Sequence, residues 1–370
     1  MQDRLALLPD VLQCLDGKTV SSKEEWLAVR RPEISELFRE HVFGREPEGK
    51  PSGLRFETVT EASALNGAAV RKQVVIRFAG PNGEGSFPLL LFIPVQREGA
   101  VPAFVLINNR AQDAMDPASP MPNDPFFPAE QLVSEGFAAA VFQTNDIDPD
   151  VDDGFKNGVH GILDPISEPR PANAWGTIAA WAWGASRVMD YLETEEGVDA
   201  NRVALVGHSR GGKTALWAGA LDPRFAMVVS NNSGCTGAAL SRGKQGETIR
   251  DINTRFPHWF SDNYKRYNGR EEELPVDQHM LLALIAPRLL YVASASEDQW
   301  ADPVSEFLSL TAAAKVYRLF GLQALEEQPF PPADSPIARG QTGYHVRTGL
   351  HDLLHYDWRC FIEFAKRHMS

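Results

Sequence analysis

Cysteine is scarce in this chain: Cys14, Cys235 and Cys360 are the only three in 370 residues, widely separated and without metal-ligand spacing. An odd, scattered set excludes a disulfide framework and a zinc module, so all three are expected to be thiols with structural roles. Long apolar runs are missing too. None approaches the roughly 20 residues of a membrane-spanning helix, so no membrane partner is expected. Basic charge is in deficit, with 36 Lys and Arg against 49 Asp and Glu and a formal net charge of -13. Phosphate polyanions need a concentrated basic surface, which argues against nucleic acid as a partner. No internal repeat, low-complexity tract or linker divides the chain. One domain over residues 1–370 is therefore expected, with an N-terminal helical extension over about residues 1–70 and a monomeric state.

The first twenty residues, "MQDRLALLPDVLQCLDGKTV", carry acids inside a short apolar stretch and lack a basic start before a continuous apolar region. They do not read as a signal peptide. The chain as it stands is expected to be cytoplasmic, the alternative being a secreted or periplasmic protein whose signal has been removed.

What is present is an ordinary globular composition, 43% hydrophobic and 23% charged. A polar segment, "SSKEEWLAVRRPEISELFREHVFG", opens with Ser21 or Ser22 before Glu24 and Glu25, a helix-start signal. Strand-like runs bounded by Gly and Pro follow: "KQVVIRF", "FPLLLFIPV" and "PAFVLIN". Further on, "FAAAVFQTN", "VALVG", "AMVVSNN", "LLYVASA" and "KVYRLF" are almost continuously apolar. They alternate with the helical patterns "NAWGTIAAWAWGASRVMDYLETEEG", "GKTALWAGALD", "PVSEFLSLTAAA" and "YDWRCFIEFAKRH". Apolar strands alternating with helices predict an α/β fold, a mostly parallel central sheet covered on both faces. The longest loops are expected over about residues 233–280 and 323–350, and long loops in a compact domain usually serve function.

Gly207-His208-Ser209-Arg210-Gly211 fits G-x-S-x-G, with an apolar strand directly before it and a helix directly after. That arrangement forces the serine into a strained, exposed turn at the carboxyl end of a sheet. Glycines at 207, 211 and 212 permit the close approach of strand and helix. An unassisted serine hydroxyl is a weak nucleophile, so a base and an orienting acid should follow in the order Ser, acid, His. Of the late histidines, His355 and His368 fall in the final helical pattern. His345 and His351 fall in "GYHVRTGLHD", read as the loop between the last strand and the last helix. His351, just after Gly349 and just before the helix, is the favoured base, with His345 second. The acid has two possible addresses. "VVSNNSG" offers only Asn231 and Asn232, which cannot carry the charge that stabilises an imidazolium, whereas "SASEDQW" offers Glu297 and Asp298. Asp298 is favoured and Glu297 is second. The Arg210 N–H is placed to meet an oxyanion, and a second donor is expected near "INNRAQ". The acidic run "NDIDPDVDDG" has its glycine out of step with a calcium loop and lacks the closing glutamate, so it reads as a solvated loop.

At these residues the sequence resembles the glucuronoyl esterases, the 4-O-methyl-glucuronoyl methylesterases of the carbohydrate esterases. The resemblance rests on "GHSRGGK", "NNSGCTGAALSR", "GET", "FPHWF", "DQHMLLALIAPR", "EDQWADP" and "GYHVRTGLHD", and spans nearly the whole chain. It implies an α/β-hydrolase three-layer sandwich, no metal or organic cofactor, and a carbohydrate ester substrate such as glucuronoxylan or its fragments. It also implies Ser209 as nucleophile, His351 as base, and Arg210 supporting the oxyanion through its side chain. Lys213, Glu247 and Trp300 are implied to bind the sugar; without the family, the first two read as surface charges and the third as a packing aromatic. Many members place a glutamate in the segment where this chain has Asn232-Ser233-Gly234, while others carry the acid where Asp298 stands. His208 replaces a common cysteine that some members use in a disulfide. The expected activity is hydrolysis of glucuronate esters, as in lignin–xylan linkages. An acetyl xylan esterase or other carbohydrate deacetylase is the alternative, and a non-catalytic carbohydrate-binding protein the third reading.

Overall fold

The computed structural model describes residues 2–110, 125–165 and 169–369. Ten strands of these residues form one sheet, in the order β1-β2-β3-β5-β4-β6-β7-β8-β10-β9. They are β1 (Ser52–Ala64), β2 (Ala69–Gly80), β3 (Gly83–Pro94), β4 (Val101–Asn108), β5 (Ala138–Gln143), β6 (Val198–His208), β7 (Met227–Asn231), β8 (Leu289–Ala295), β9 (Ile337–Arg339) and β10 (Thr342–Arg347). From β5 through β4, β6, β7 and β8 to β10 every pairing is parallel, while β1, β2, β3 and the edge strand β9 join antiparallel.

Successive side chains of a strand point to opposite faces, and here both faces are buried. Val105, Ile107, Val203, Leu205, Val228 and Val292 pack one way, into a core shared with the helices Thr177–Leu192, Arg210–Leu221 and Pro303–Leu319. Phe104, Leu106, Ala204, Val206, Val229 and Tyr291 pack the other way, against the helices Ala129–Ser134 and His355–His368. Two apolar faces explain why these strands read as continuous runs. All three cysteines are buried free thiols, and burial pushes Cys235 up to about 11 and Cys360 up to about 12.

Three expectations are corrected. "KVYRLF" is not a strand: the helix from Pro303 runs on to Leu319, because buried Phe307, Leu310, Ala314 and Tyr317 continue one helical stripe with no breaker between them. The last parallel strand is β10, inside the segment read as loop, so His345 stands in the sheet and only His351 in the turn beyond it. The helical extension also stops early. Its run of helices ends at Phe43, Ser22 caps the helix at Lys23–Glu25 by accepting from the Glu25 N–H, residues 52–64 form strand β1, and from there to residue 70 only the single 3-10 turn Leu65–Gly67 is helical. Strand β1 lies at the sheet edge, where Leu54, Phe56 and Ala64 are only partly buried against the core, so its sequence lacks an apolar signal.

The strand-to-helix turn at residue 209 has the tightest backbone contact. A Cβ at Gly207 would lie 1.9 Å from the Gly211 carbonyl oxygen, so no side chain fits there. Gly207→Ala should therefore destabilise the fold by ~3 kcal/mol or more, as overpacking against immobile backbone does. Urea unfolding measures it; an unchanged midpoint would refute the close approach.

Candidate active site

Strand β6 ends at His208, Ser209 takes φ 57° and ψ −122°, and the helix Arg210–Leu221 begins at the next residue. A positive φ at a non-glycine residue is costly and persists only when its surroundings fix it. They do so here through the Ser209 N–H, which donates to the Asn231 carbonyl at 2.9 Å and ties the turn to the end of β7. Beneath it, the buried His208 ring donates from Nδ1 to Asn231 Oδ1 at 2.6 Å. Burial, then the neighbouring His351, hold His208 well below its ordinary range, so it is neutral.

The His351 ring lies 4.5 Å from the His208 ring, centre to centre, which places it beside the serine turn. His351 Nδ1 donates to Asp298 Oδ2 at 2.6 Å. The His351 side chain is 42% exposed and that of Asp298 is 7% exposed, so an accessible imidazole is oriented by a sheltered carboxylate. Of the two acids considered, Asp298 is the one placed on His351; Glu297 is exposed and its backbone N–H donates to the Gly349 carbonyl. Asn232 instead donates from Nδ2 to the Asp352 carbonyl at 2.9 Å and so braces the loop that carries His351. His345, the second candidate, is fully buried, with Nε2 2.8 Å from Asp357 Oδ1 and Nδ1 3.1 Å from the Tyr291 hydroxyl. It is a structural residue of β10.

Arg210 and Lys213 stand one turn apart on the elbow helix and share a partner, the Trp259 ring. The Arg210 guanidinium carbon is 4.8 Å and Lys213 Nζ 5.9 Å from its centre. Lys213 is buried and donates to the Ser233 carbonyl. Burial lowers its pKa, and the Glu247 charge opposes that shift. Glu247 is buried too, and its N–H donates to the Trp300 carbonyl at 3.0 Å, which joins the "GET" and "DQW" segments; Trp300 itself is 48% exposed. Lys213 and Glu247 are thus not the surface charges that the bare sequence suggests.

Sequence reasoning missed Asp150, His258, Trp259 and Glu306. Asp150, from the acidic run read as solvated, pairs with Arg210 and accepts from Trp259 Nε1 at 2.7 Å and from His258 Nε2 at 2.9 Å. Its neighbours turn elsewhere: Asp148 accepts from Thr177 and Asp153 from Asn157. The motif "FPHWF" held the available signal, since two of its residues meet Asp150. Of the "INNRAQ" stretch expected to supply a second oxyanion donor, Ala111 and Gln112 lie outside the described residues.

A strained serine on a strand-to-helix turn, with a histidine–carboxylate pair delivered from two later strands of a mostly parallel sheet, defines a serine hydrolase of the α/β-hydrolase class. Comparison with known proteins narrows this. The family model "Glucuronyl esterase, fungi" matches residues 130–321. Carbohydrate esterase MZ0003, from an unknown prokaryotic organism, is 40% identical over 98% of this chain and 90% of its own length. The 4-O-methyl-glucuronoyl methylesterase of Podospora anserina is 32% identical over 83% of this chain and 59% of its own. The solved glucuronoyl esterase from Solibacter usitatus superposes with a TM-score of 0.92 at 39% identity, covering 98% of both chains. The chain belongs to the glucuronoyl esterase family, family 15 of the carbohydrate esterases, and is a carboxylic ester hydrolase.

Glu306 yields a prediction. Fully buried on the helix Pro303–Leu319, it accepts from Ser294 Oγ at 2.6 Å and from the Gly234 N–H at 2.9 Å. Burial raises its pKa from 4.5 to about 7 despite those donors. A carboxyl whose folded pKa is raised binds its proton more tightly in the folded state, so its contribution to stability falls as pH rises from about 4.5 to about 7. Relative to Glu306→Gln, the wild type should lose stability across that window. Thermal melts of both proteins from pH 4.5 to 7.5 check it, and a constant difference would show that Glu306 does not titrate there.

Proposed function

We propose that Ser209, His351 and Asp298 form the catalytic triad, that Arg210 supports the oxyanion, and that Lys213, Glu247 and Trp300 receive the uronate. The observation that carries this reading is the 2.6 Å bond from His351 to Asp298 beside the strained Ser209 turn. Ser209 Oγ attacks the ester carbonyl while His351 Nε2 takes its proton, and Asp298 stabilises the resulting imidazolium through Nδ1–H. The tetrahedral oxyanion meets the Arg210 N–H and guanidinium. Collapse expels the alcohol, protonated by His351, and leaves an acyl-serine. Water, deprotonated by His351, then releases the uronic acid and restores Ser209.

The substrate follows from the surrounding groups. Lys213 supplies donors and Glu247 acceptors for neighbouring sugar hydroxyls, and the exposed Trp300 indole offers an apolar face with one N–H donor. An esterified uronate is neutral, so a net charge of -13 does not oppose its approach. The name of the Podospora anserina relative, a 4-O-methyl-glucuronoyl methylesterase, supports a glucuronoyl or 4-O-methyl-glucuronoyl ester as the substrate, as in lignin–xylan linkages.

Hydrolysis of benzyl glucuronate, measured beside an acetyl ester, tests the whole reading. Ser209→Ala should abolish turnover. Asp298→Asn should lower kcat on the order of 10³-fold or more, because the imidazole loses its tautomer and its counter-charge. Asn232→Ala should cost less than about tenfold. Turnover of the acetyl ester alone would leave the triad standing and sink the uronate assignment, pointing to a deacetylase. Full activity of Asp298→Asn would remove Asp298 from the triad.

A further inference from the structure

The acidic run after β5 has no role in the chemistry above, yet one of its aspartates touches a catalytic candidate. We propose that Asp150 is a positioning residue for the reaction: it fixes the Arg210 guanidinium, and the indole on which that guanidinium lies, in the orientation that meets the oxyanion. This rests on the reading of Arg210 as an oxyanion group.

Arg210 opens the elbow helix, so its backbone is fixed, but its side chain turns about four bonds and an exposed arginine samples many rotamers. An oxyanion donor works by being in place before charge develops, since reorientation during the reaction would consume the gain. Three contacts settle its position here. Asp150 Oδ2 accepts from Nη1, Trp259 lies 4.8 Å below the guanidinium carbon, and Phe256 lies 5.3 Å from it. Phe256 and Trp259 are themselves stacked, 3.8 Å apart and nearly coplanar at 3°. The other oxygen of the same carboxylate, Oδ1, accepts from Trp259 Nε1 at 2.7 Å and from His258 Nε2 at 2.9 Å. One carboxylate therefore sets both the rotation of the guanidinium and the plane beneath it. Those donors hold Asp150 below the usual carboxylate range against the opposing effect of burial. Nε, across the fork from Nη1, is buried and has no hydrogen-bond partner.

Asp150 is itself held. Its N–H donates to Asn145 Oδ1 at 3.0 Å. Two residues earlier, buried Asp148 accepts from Thr177 Oγ1 at 2.7 Å through its carboxylate and from Trp181 Nε1 at 2.8 Å through its carbonyl. The loop is thereby pinned to the long helix Thr177–Leu192. Reading the run as a solvated loop or a calcium site accounts for none of these contacts.

A double-mutant cycle on benzyl glucuronate separates this role from a structural one. Asparagine at 150 still accepts from Trp259 and His258, so Asp150→Asn should melt within a few degrees of the wild type. Its amide, unlike the carboxylate, has no charge to hold Arg210. Asp150→Asn is expected to lower kcat 10- to 100-fold with KM changed less than threefold, and Asp150→Glu to recover part of the loss. Introduced into Arg210→Ala, Asp150→Asn should cost less than a further threefold. Should the asparagine variant not fold, the Asp150→Glu cycle decides by the same criterion. Losses that multiply in the Arg210→Ala background would show that Asp150 acts independently of Arg210 and overturn the proposal. A wild-type rate for Asp150→Asn beside a slow Arg210→Ala overturns this proposal alone. A wild-type rate for Arg210→Ala overturns the reading of Arg210, and this inference with it.

Discussion

A carboxylate sealed from water must be paired, and in this fold Asp357 gathers its partners from β7, β10 and the turn before the last helix, beneath the active site. It is fully buried at the start of the C-terminal helix. Arg347 donates to it from Nε at 3.0 Å, Asn231 from Nδ2 at 3.3 Å and the Leu354 N–H at 2.8 Å, with His345 Nε2 at 2.8 Å. Each partner passes the constraint onward. Arg347 donates through Nη2 to the carbonyls of Leu350 and Asp352, on either side of His351. Asn231 holds His208 with its side chain and the Ser209 N–H with its carbonyl. Serine turn and histidine loop thus refer to one buried charge, although they belong to different strands.

Above that anchor, charges are paired in layers. Arg210 is matched by Asp150, His351 by Asp298, and Lys213 by a carbonyl and the nearby Glu247. Arg210, His351 and Lys213 each have a partner that accepts from them. Pairing of this kind fixes direction as well as charge, which a reaction passing through a short-lived anion requires. A neutral His208 adds no positive charge beside the His351 ring, the proposed base.

Where one physical signal dominated, the sequence was legible. Strands β4 to β8, buried on both faces, are mostly apolar and could be read directly, β2 and β3 by apolar runs between Gly and Pro, and the turn at Ser209 was marked by its glycines. Asp298 is favoured over the other address by elimination, because asparagines cannot carry charge. The rest was hidden for reasons that are equally physical. In β10, Thr342, His345 and Arg347 are buried by pairing, so a central strand has the composition of a loop. "KVYRLF" is apolar enough for a strand, and only its phase with Phe307 and Leu310 shows the helix. Lys213, Glu247 and Asp150 read as solvated charges because a single residue does not disclose partners that lie distant in sequence. Family motifs point to Lys213, Glu247 and Trp300, but not to Asp150.

The order of these parts along the chain has a consequence during synthesis. Ser209 and its turn lie in the middle of the chain, whereas β10, His351 and Asp357 all follow residue 341. β10 pairs in parallel with β8 and lies between it and β9, so it docks only after both are made. A chain leaving the ribosome carries the serine turn for well over a hundred residues before His351, or the charge that fixes its loop, exists. With His351 as the proposed base, ester cleavage begins only when the final strand and helix are seated, so activity reports completed assembly of the sheet.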